Sequence, residues 1–218
     1  MALAIFDLDN TLISGDSDHG WGEFLVAQGL VDADLFSEKN DYYFQQYQLG
    51  KLNIHEYLEF SLEPLTQHPI SKLHALRAKF VKETILPLIT KKSRDLLKAH
   101  REQGDYLLII TATNLFVTEP IAQELGVDDI IATEPEMIDG QYTGKVSGVA
   151  SFQEGKVQRL TDWLAQKDLS LKGSYFYSDS RNDLPLLKLV DNPVAVDADD
   201  TLLAHAREQD WAIMTLRD

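Results

Sequence analysis

Short runs of apolar residues recur along the chain, and segments with helical spacing separate most of them. The runs at 2–6, 106–110, 129–133 and 174–177 are apolar or aromatic with little alternation. Such runs are typical of strands that are buried on both faces, as in parallel sheets. Strands that alternate with helices predict an α/β protein in which right-handed crossovers join the strands.

The elements that complete this pattern are marked by glycine stops and by the spacing of apolar residues. We predict helices at 90–103, 117–125 and 153–167, a further helix ending near 190, strands at 193–196 and 211–214, and a hairpin at 137–147. The predicted fold is a Rossmann-like, doubly wound and mostly parallel sheet.

The segment from 15 to 84 differs from the rest, because it contains helical patterns and no strand-like run. Helices are predicted at 18–29, 34–49, 53–65 and 71–84. So long a segment exceeds an ordinary connection, and we interpret it as an inserted all-helical cap domain. The predicted division is a core of residues 1–14 and 85–218 and a cap of residues 15–84. Four aromatic residues are expected inside the cap: Trp21, Tyr42, Tyr43 and Tyr47.

The charge balance narrows the range of partners. The 218 residues include 35 acidic and 20 basic side chains, for a formal net charge of −15. This balance disfavours nucleic acid and anionic membranes, which bind clustered Lys and Arg. There is no cysteine, no apolar run near the length of a membrane span and no basic start typical of a signal peptide. We therefore expect a cytoplasmic protein that acts on a small molecule; its oligomeric state has no signal in the sequence.

Polar residues suited to chemistry follow three of the predicted strands. Asp7 and Asp9 follow the first strand, Thr111 ends the second, and Asp179 and Asp183 follow the strand at 174–177. Because parallel strands present their carboxyl ends at one edge of a sheet, these side chains are expected to converge.

Several carboxylates in one place repel one another and require a cation. Hard oxygen ligands without cysteine or clustered histidine favour Mg²⁺, which binds one or two carboxylates together with a substrate phosphate. Lys156, near the start of a predicted helix, and the Thr111 hydroxyl are suited to the remaining phosphate oxygens. An aspartate can act as the nucleophile in phosphoryl transfer. Lys145 and Lys172 compete with Lys156 for the position of the basic residue.

Taken in order, these residues resemble the four motifs of the haloacid dehalogenase superfamily. Asp7-Leu8-Asp9-Asn10-Thr11 matches Asp-x-Asp-x-Thr, and Leu107–Thr111 matches the strand that ends in Ser or Thr. Lys156 matches the lysine motif, and Asp179 with Asp183 matches Asp-x-x-x-Asp. The helical insert is similar to the cap of the branch that contains phosphoserine phosphatase and histidinol-phosphate phosphatases.

The resemblance implies a mechanism and a set of site residues. Asp7 would attack phosphorus to form an aspartyl-phosphate, Asp9 would act as acid and then base, and Thr111 and Lys156 would bind the phosphoryl group. The implied Mg²⁺ site consists of Asp7, the Asp9 carbonyl, Asp179 and, behind them, Asp183. The predicted substrate-binding residues are Asp16, Thr111, Ala112, Lys156 and Asn182.

The charges of the cap bear on the substrate. A phosphoserine pocket in this family pairs the substrate carboxylate with a cap arginine, yet residues 16–70 contain no arginine and only two lysines, Lys39 and Lys51. Asp16 lies where the family has an acidic residue near the substrate ammonium group. These features favour an amino-alcohol phosphate such as histidinol phosphate, with phosphoserine as the alternative.

Two other kinds of protein carry similar motifs. A receiver-like signalling module also combines acids, a Ser or Thr and a Lys on a parallel sheet, but it lacks a helical insert of this length. A dehalogenase of the same superfamily lacks the acid at the position of Asp9. The presence of both features favours a phosphatase.

Overall fold

The computed structural model describes residues 2–217. In this part of the chain the strands are β1 (Leu3–Phe6), β2 (Tyr106–Asn114), β3 (Asp129–Thr133), β4 (Pro135–Ile138), β5 (Gln141–Val146), β6 (Tyr175–Ser178), β7 (Asn192–Val196) and β8 (Ala212–Met214). Six of them form one parallel sheet in the order β3-β2-β1-β6-β7-β8, and β4 and β5 form a separate antiparallel hairpin. The predicted α/β class with a mostly parallel sheet is confirmed.

Helices cover the sheet and fill the segment between its first two strands. They are α1 (Ser17–Ala27), α2 (Ala33–Gln48), α3 (Ile54–Thr66), α4 (Ile70–Phe80), α5 (Lys91–Glu102), α6 (Leu115–Leu125), α7 (Glu154–Leu164), α8 (Leu184–Leu187) and α9 (Asp200–Glu208). Within residues 2–217, no helix combines the length and apolar character needed to cross a membrane.

The centre of the sheet is β1, with β2 on one side and β6 on the other. Its four residues are fully buried, because helices cover both faces of the sheet. Phe6, the last of them, stacks on Tyr177 of β6 with ring centroids 5.0 Å apart. This packing fixes the strand end from which the first acidic motif leaves the sheet.

The helices α1 to α4 form the predicted all-helical insert between β1 and β2. Asn53 caps α3 as its capping-box pattern predicts, with its side chain accepting from the Glu56 N–H. The hairpin lies against α3, since β5 packs along that helix. The bounds predicted for core and cap stay a prediction.

One predicted helix is much shorter than expected, and one observed helix was not predicted. The helix predicted to end near 190 is a single turn, α8, and α9 was not predicted at all. Asp199 caps α9 by accepting from the N–H groups of Thr201 and Leu202. The helix was missed because its buried stripe consists of Leu202 and Ala206 alone.

Candidate active site

Asp7 emerges from β1 at the carboxyl edge of the sheet. Its side chain is buried, and its N–H donates to the Tyr177 carbonyl at 2.9 Å, which extends the pairing of β1 with β6 by one residue. A wide turn over Leu8–Leu12 follows, in which Asn10 has a φ of +55°. Asn tolerates this left-handed conformation better than most residues. The turn keeps Asp7 and Asp9, the two acids of the first motif, at the carboxyl edge of the sheet.

Lys156 is buried beside Asp7. Its ammonium nitrogen lies 2.8 Å from Asp7 Oδ1 and 2.7 Å from Asp183 Oδ1. Asp183 Oδ2 also accepts from the Ser178 hydroxyl at 2.7 Å. The competing residues, Lys145 and Lys172, are exposed. The structure therefore brings Lys156, and neither competitor, to the predicted site.

Burial shifts the pKa values of the acids in this cluster and of Lys156. It raises the pKa of Asp7 to about 7, against the opposing effect of the Lys156 cation and with a further increase from Asp183. It also raises the pKa of Asp179 well above its ordinary value, and the negative charges of Asp7 and Asp183 add to the increase. For Lys156, burial lowers the pKa, but the two neighbouring carboxylates outweigh it and keep the ammonium charged. The cluster contains more carboxyl groups than one lysine can neutralise.

Asp179 is held in place by the first motif. The Thr11 hydroxyl donates to Asp179 Oδ1 at 3.1 Å and accepts from the Asp179 N–H at 3.0 Å. Thr11 itself is fully buried. This reciprocal pair explains in physical terms why a threonine four residues after Asp7 serves the site.

Asp9 lies beside the end of β2. One of its oxygens accepts from the Ser17 N–H at 2.5 Å, and the other accepts from the hydroxyls of Thr113 and Thr111 at 2.8 and 3.4 Å. Burial raises the pKa of Asp9 to about 6, with a further increase from the Asp16 charge. The Asp9 carboxyl thus remains partly protonated close to neutral pH.

A cleft of about 540 Å³, including its opening to solvent, lies between these residues and the helical insert. Asp7, Asp9 and Thr111 form its floor, and Asp16 and Asp18 of the α1 start lie in its wall. Burial raises the pKa of Asp16 to about 6 and that of Asp18 to about 7. Within residues 2–217, the side chains that line this cleft include no lysine or arginine.

The predicted substrate-binding residues are found in different places. Asp16, Thr111 and Ala112 line the cleft. Lys156 lies behind Asp7, as described above. Asn182 is buried away from the cleft lining, and its amide donates to the Tyr47 carbonyl at 3.2 Å and accepts from Gln153 at 3.0 Å. A contact of Asn182 with substrate stays a prediction.

The aromatic residues of the insert are not all buried in its interior, as had been expected. Trp21 is buried, as predicted, but Tyr42 is 54% exposed. Tyr43 and Tyr47 line the cleft instead of the interior of the insert. Tyr57, which interacts with Asp18, also lines it and was not singled out from the sequence.

Two further cleft residues were missed. Thr113 contacts Asp9 more closely than Thr111 does, and its place two residues further along the same strand would have predicted a shared face. Asp18 comes two residues after Asp16, but its position in the wall depends on how α1 packs, which no local pattern specifies.

The donors at the sheet edge fit a magnesium ion. Within the described residues, no three carboxylate or imidazole side chains form a ready-made metal cage. Asp7, which is buried, and Asp179, which is partly buried, are nevertheless close enough that the Asp7 charge raises the Asp179 pKa. Mg²⁺ takes one or two carboxylates and completes its shell with water and substrate oxygens. The set at this edge therefore suits Mg²⁺ and not a soft metal.

Comparison with known proteins places the chain among hydrolases. The family model described as haloacid dehalogenase-like hydrolase matches residues 4–188. The chain is 43% identical over 219 residues to the histidinol-phosphatase of Neisseria meningitidis serogroup C, with 99% of each chain covered. It is 32% identical to phosphoserine phosphatase SerB1 of Mycobacterium tuberculosis, covering 99% of this chain and 71% of the relative.

A solved structure shares the whole fold of the chain. A protein of unknown function from Bordetella pertussis Tohama I has a TM-score of 0.93 to this chain and 41% identity, with 99% of both chains covered. The likeness therefore includes the helical insert as well as the sheet. The chain belongs to the haloacid dehalogenase-like hydrolases and is a phosphatase.

Proposed function

We propose that the enzyme hydrolyses a small amino-alcohol phosphate such as histidinol phosphate, with Mg²⁺ and through a phosphoaspartyl intermediate on Asp7. The observation that carries the substrate class is the cleft above Asp7, whose wall presents Asp16 and Asp18 and, within the described residues, no basic side chain except His19. An ammonium group suits such a wall, whereas a substrate carboxylate would meet like charge.

The first step is assigned to Asp7. Its carboxylate attacks phosphorus, the bond from phosphorus to the ester oxygen breaks, and an acyl phosphate forms on Asp7. Lys156 holds the Asp7 carboxylate from behind at 2.8 Å and supplies positive charge where the phosphoryl group gains negative charge. The Thr111 hydroxyl lies in the same cleft floor and is suited to donate to a phosphoryl oxygen.

Asp9 is assigned the proton transfers. In its protonated form it gives its proton to the leaving alcohol oxygen, and as a carboxylate it then takes a proton from the water that attacks the acyl phosphate. The second attack releases inorganic phosphate and restores Asp7. A pKa raised to about 6 suits both roles near neutral pH, because neither form of Asp9 is rare there.

A metal ion completes the charge balance. Asp7, Asp179 and the Asp9 carbonyl would hold Mg²⁺, with Asp183 oriented behind them by Lys156 and Ser178. The ion, when bound, would neutralise charge on the phosphoryl oxygens. Thr11 keeps Asp179 oriented for this task through its reciprocal hydrogen bonds.

The positions of the basic residues in the insert favour an amino-alcohol phosphate over an amino-acid phosphate as the substrate. Arg77 donates to the Phe116 carbonyl at 2.8 Å and lies over the Phe116 ring, so it is committed outside the cleft. Lys39 lies 5.9 Å from the centre of the Phe60 ring, and Lys51 is exposed. The 43% identity to a histidinol-phosphatase supports the same substrate, and the 32% identity to a phosphoserine phosphatase keeps phosphoserine as the second candidate.

The test compares turnover of histidinol phosphate and phosphoserine by the purified protein in Mg²⁺, with p-nitrophenyl phosphate as a substrate that has no ammonium group. We expect kcat/KM for histidinol phosphate to exceed that for phosphoserine, and Asp18→Asn to lower it ~10-fold by raising KM. Asp34→Asn, on the exposed start of α2, is the matched control. A clear preference for phosphoserine would overturn the substrate assignment and leave the phosphatase mechanism standing.

A further inference from the structure

Arg217, near the end of the chain, reaches the turn that carries the catalytic acids. Its guanidinium donates to the carbonyl of Asn10 and, at 3.3 Å, to the carbonyl of Thr11. Its Nε also lies 3.8 Å from Asp197 Oδ2. Two carbonyl acceptors and one carboxylate, on two different segments, therefore surround one planar side chain, an arrangement that a guanidinium fork suits better than an ammonium group.

The segment around Arg217 is itself anchored. The Leu216 N–H donates to Asp197 Oδ2 at 2.9 Å, and the Leu216 carbonyl accepts from the Thr90 hydroxyl at 2.7 Å. The Leu216 side chain is buried, and the Arg217 carbonyl accepts from Lys92. Contacts on both sides of the residue hold its backbone, so the guanidinium is presented by a fixed support and not by a free tail.

Partners outside the turn also orient its peptides. Asn10 has a φ of +55°, a left-handed conformation that Asn tolerates better than most residues. The Asn10 N–H donates to the Gly15 carbonyl at 2.8 Å, and this bond fixes the plane of the peptide that contains the Asp9 carbonyl. Arg217 holds the next two carbonyls, so the three peptides after Asp9 are all oriented by partners outside the turn.

The same contacts connect to the fourth motif. The residue whose carbonyl Arg217 holds, Thr11, also positions Asp179 through its hydroxyl. Arg217 does not line the cleft above Asp7, but it borders a second cleft that Asn10 and Asp179 share. It is therefore placed to act on the catalytic acids from behind, through the backbone that carries them.

We infer that Arg217 is a positioning residue for this phosphatase: by holding the Asn10 and Thr11 carbonyls it fixes the two peptides that follow the Asp9 carbonyl and, through Thr11, the orientation of Asp179, so that both groups keep the arrangement proposed to bind the metal ion. The inference rests on the proposed function. It assigns to the chain's last segment a role in catalysis that neither the four motifs nor the cleft lining includes.

The test uses Arg217→Ala, Arg217→Lys and the matched control Arg207→Ala, which removes an exposed arginine of α9. We expect Arg217→Ala to lower kcat on p-nitrophenyl phosphate ~10-fold with little change in KM, since the substrate cleft is intact. Arg217→Lys should recover part of the loss, because an ammonium group can hold one carbonyl. Arg207→Ala should match the wild type.

Two readouts separate positioning from a merely structural role. Hydrogen exchange of the amides in 8–14 should be faster in Arg217→Ala while the urea midpoint changes little, and Mg²⁺ binding measured by calorimetry should weaken several-fold. An unchanged kcat with unchanged exchange in 8–14 overturns the inference. So does a rise in KM at constant kcat, which would mean that Arg217 contacts the substrate.

A different result would show that the proposed function is wrong. If Asp7→Asn retained turnover, the assignment of the nucleophile would be wrong. The exchange rate in 8–14 and the calorimetry would still report whether Arg217 orders the turn, because neither depends on turnover.

Discussion

Replacing Lys156 by methionine tests how much its positive charge contributes to stability and to turnover. The ammonium group lies within 2.8 Å of one oxygen of Asp7 and of one oxygen of Asp183, and all three side chains are buried. Removing one partner of a buried ion pair costs about 3–5 kcal/mol, because the remaining charges stay buried without compensation. Turnover should fall by ~10²–10³ as well, the typical effect of losing one preorganised group that stabilises developing charge.

The cost of this substitution should depend on pH. Burial holds the folded-state pKa of Asp7 at about 7, above the ordinary 3.8, and loss of the lysine raises it further. The folded protein then keeps a proton that the unfolded chain releases, so stability declines as pH rises from about 4 through the folded-state pKa. The destabilisation of Lys156→Met relative to the wild type should therefore be smaller at pH 5 than at pH 8.

The measurement is urea unfolding of both proteins at several pH values in the presence of a chelator, which removes any metal contribution. Lys172→Met, at an exposed lysine, is the matched control and should unfold like the wild type at every pH. A Lys156→Met protein that unfolds like this control, or one that retains full turnover, would contradict the role assigned to Lys156.

Three further predictions concern the acids and the metal. Thr113→Val should lower kcat ~10-fold and move the alkaline limb of the kcat profile to higher pH, because the hydroxyl favours ionised Asp9 and its loss raises that pKa; an unchanged profile would contradict the contact. Asp9→Asn should slow steady-state phosphate release by ~10²–10⁴ with the urea midpoint nearly unchanged, since an amide cannot transfer the proton. A chelator should abolish turnover and added Mg²⁺ should restore it, whereas full activity in the chelator would exclude the metal proposal.

Much of the core could be predicted because its signals are local. The strands β1 and β2 are fully apolar over several residues, and such runs have few structural alternatives. The apolar run of each strand is followed at once by polar residues of the site, so the ends of these runs alone placed Asp7, Asp9 and Thr111 at one edge, although β2 itself continues to Asn114. The choice among the lysines needed the structure, because burial of Lys156 depends on how α7 packs against β2 and α8.

The cleft was harder to predict, since its wall is built from segments that meet only in the folded chain. Spacing along α2 does not tell which tyrosines face the interior of the insert and which face Asp7. The pairing of Asp18 with Tyr57 joins α1 to α3, and the contact of Asn182 with Tyr47 joins the fourth motif to α2. Long-range contacts of this kind leave no periodic trace in the sequence.

The proposed mechanism requires that Asp7 become phosphorylated during turnover. Wild-type enzyme is mixed with substrate and Mg²⁺, quenched in acid within the first turnovers, digested and examined by mass spectrometry. If Asp7 is the nucleophile, one phosphoryl group is found on the peptide that carries Asp7, and none on the same peptide of Asp7→Asn. A phosphoryl group on any other residue, or steady turnover by Asp7→Asn, would contradict that role.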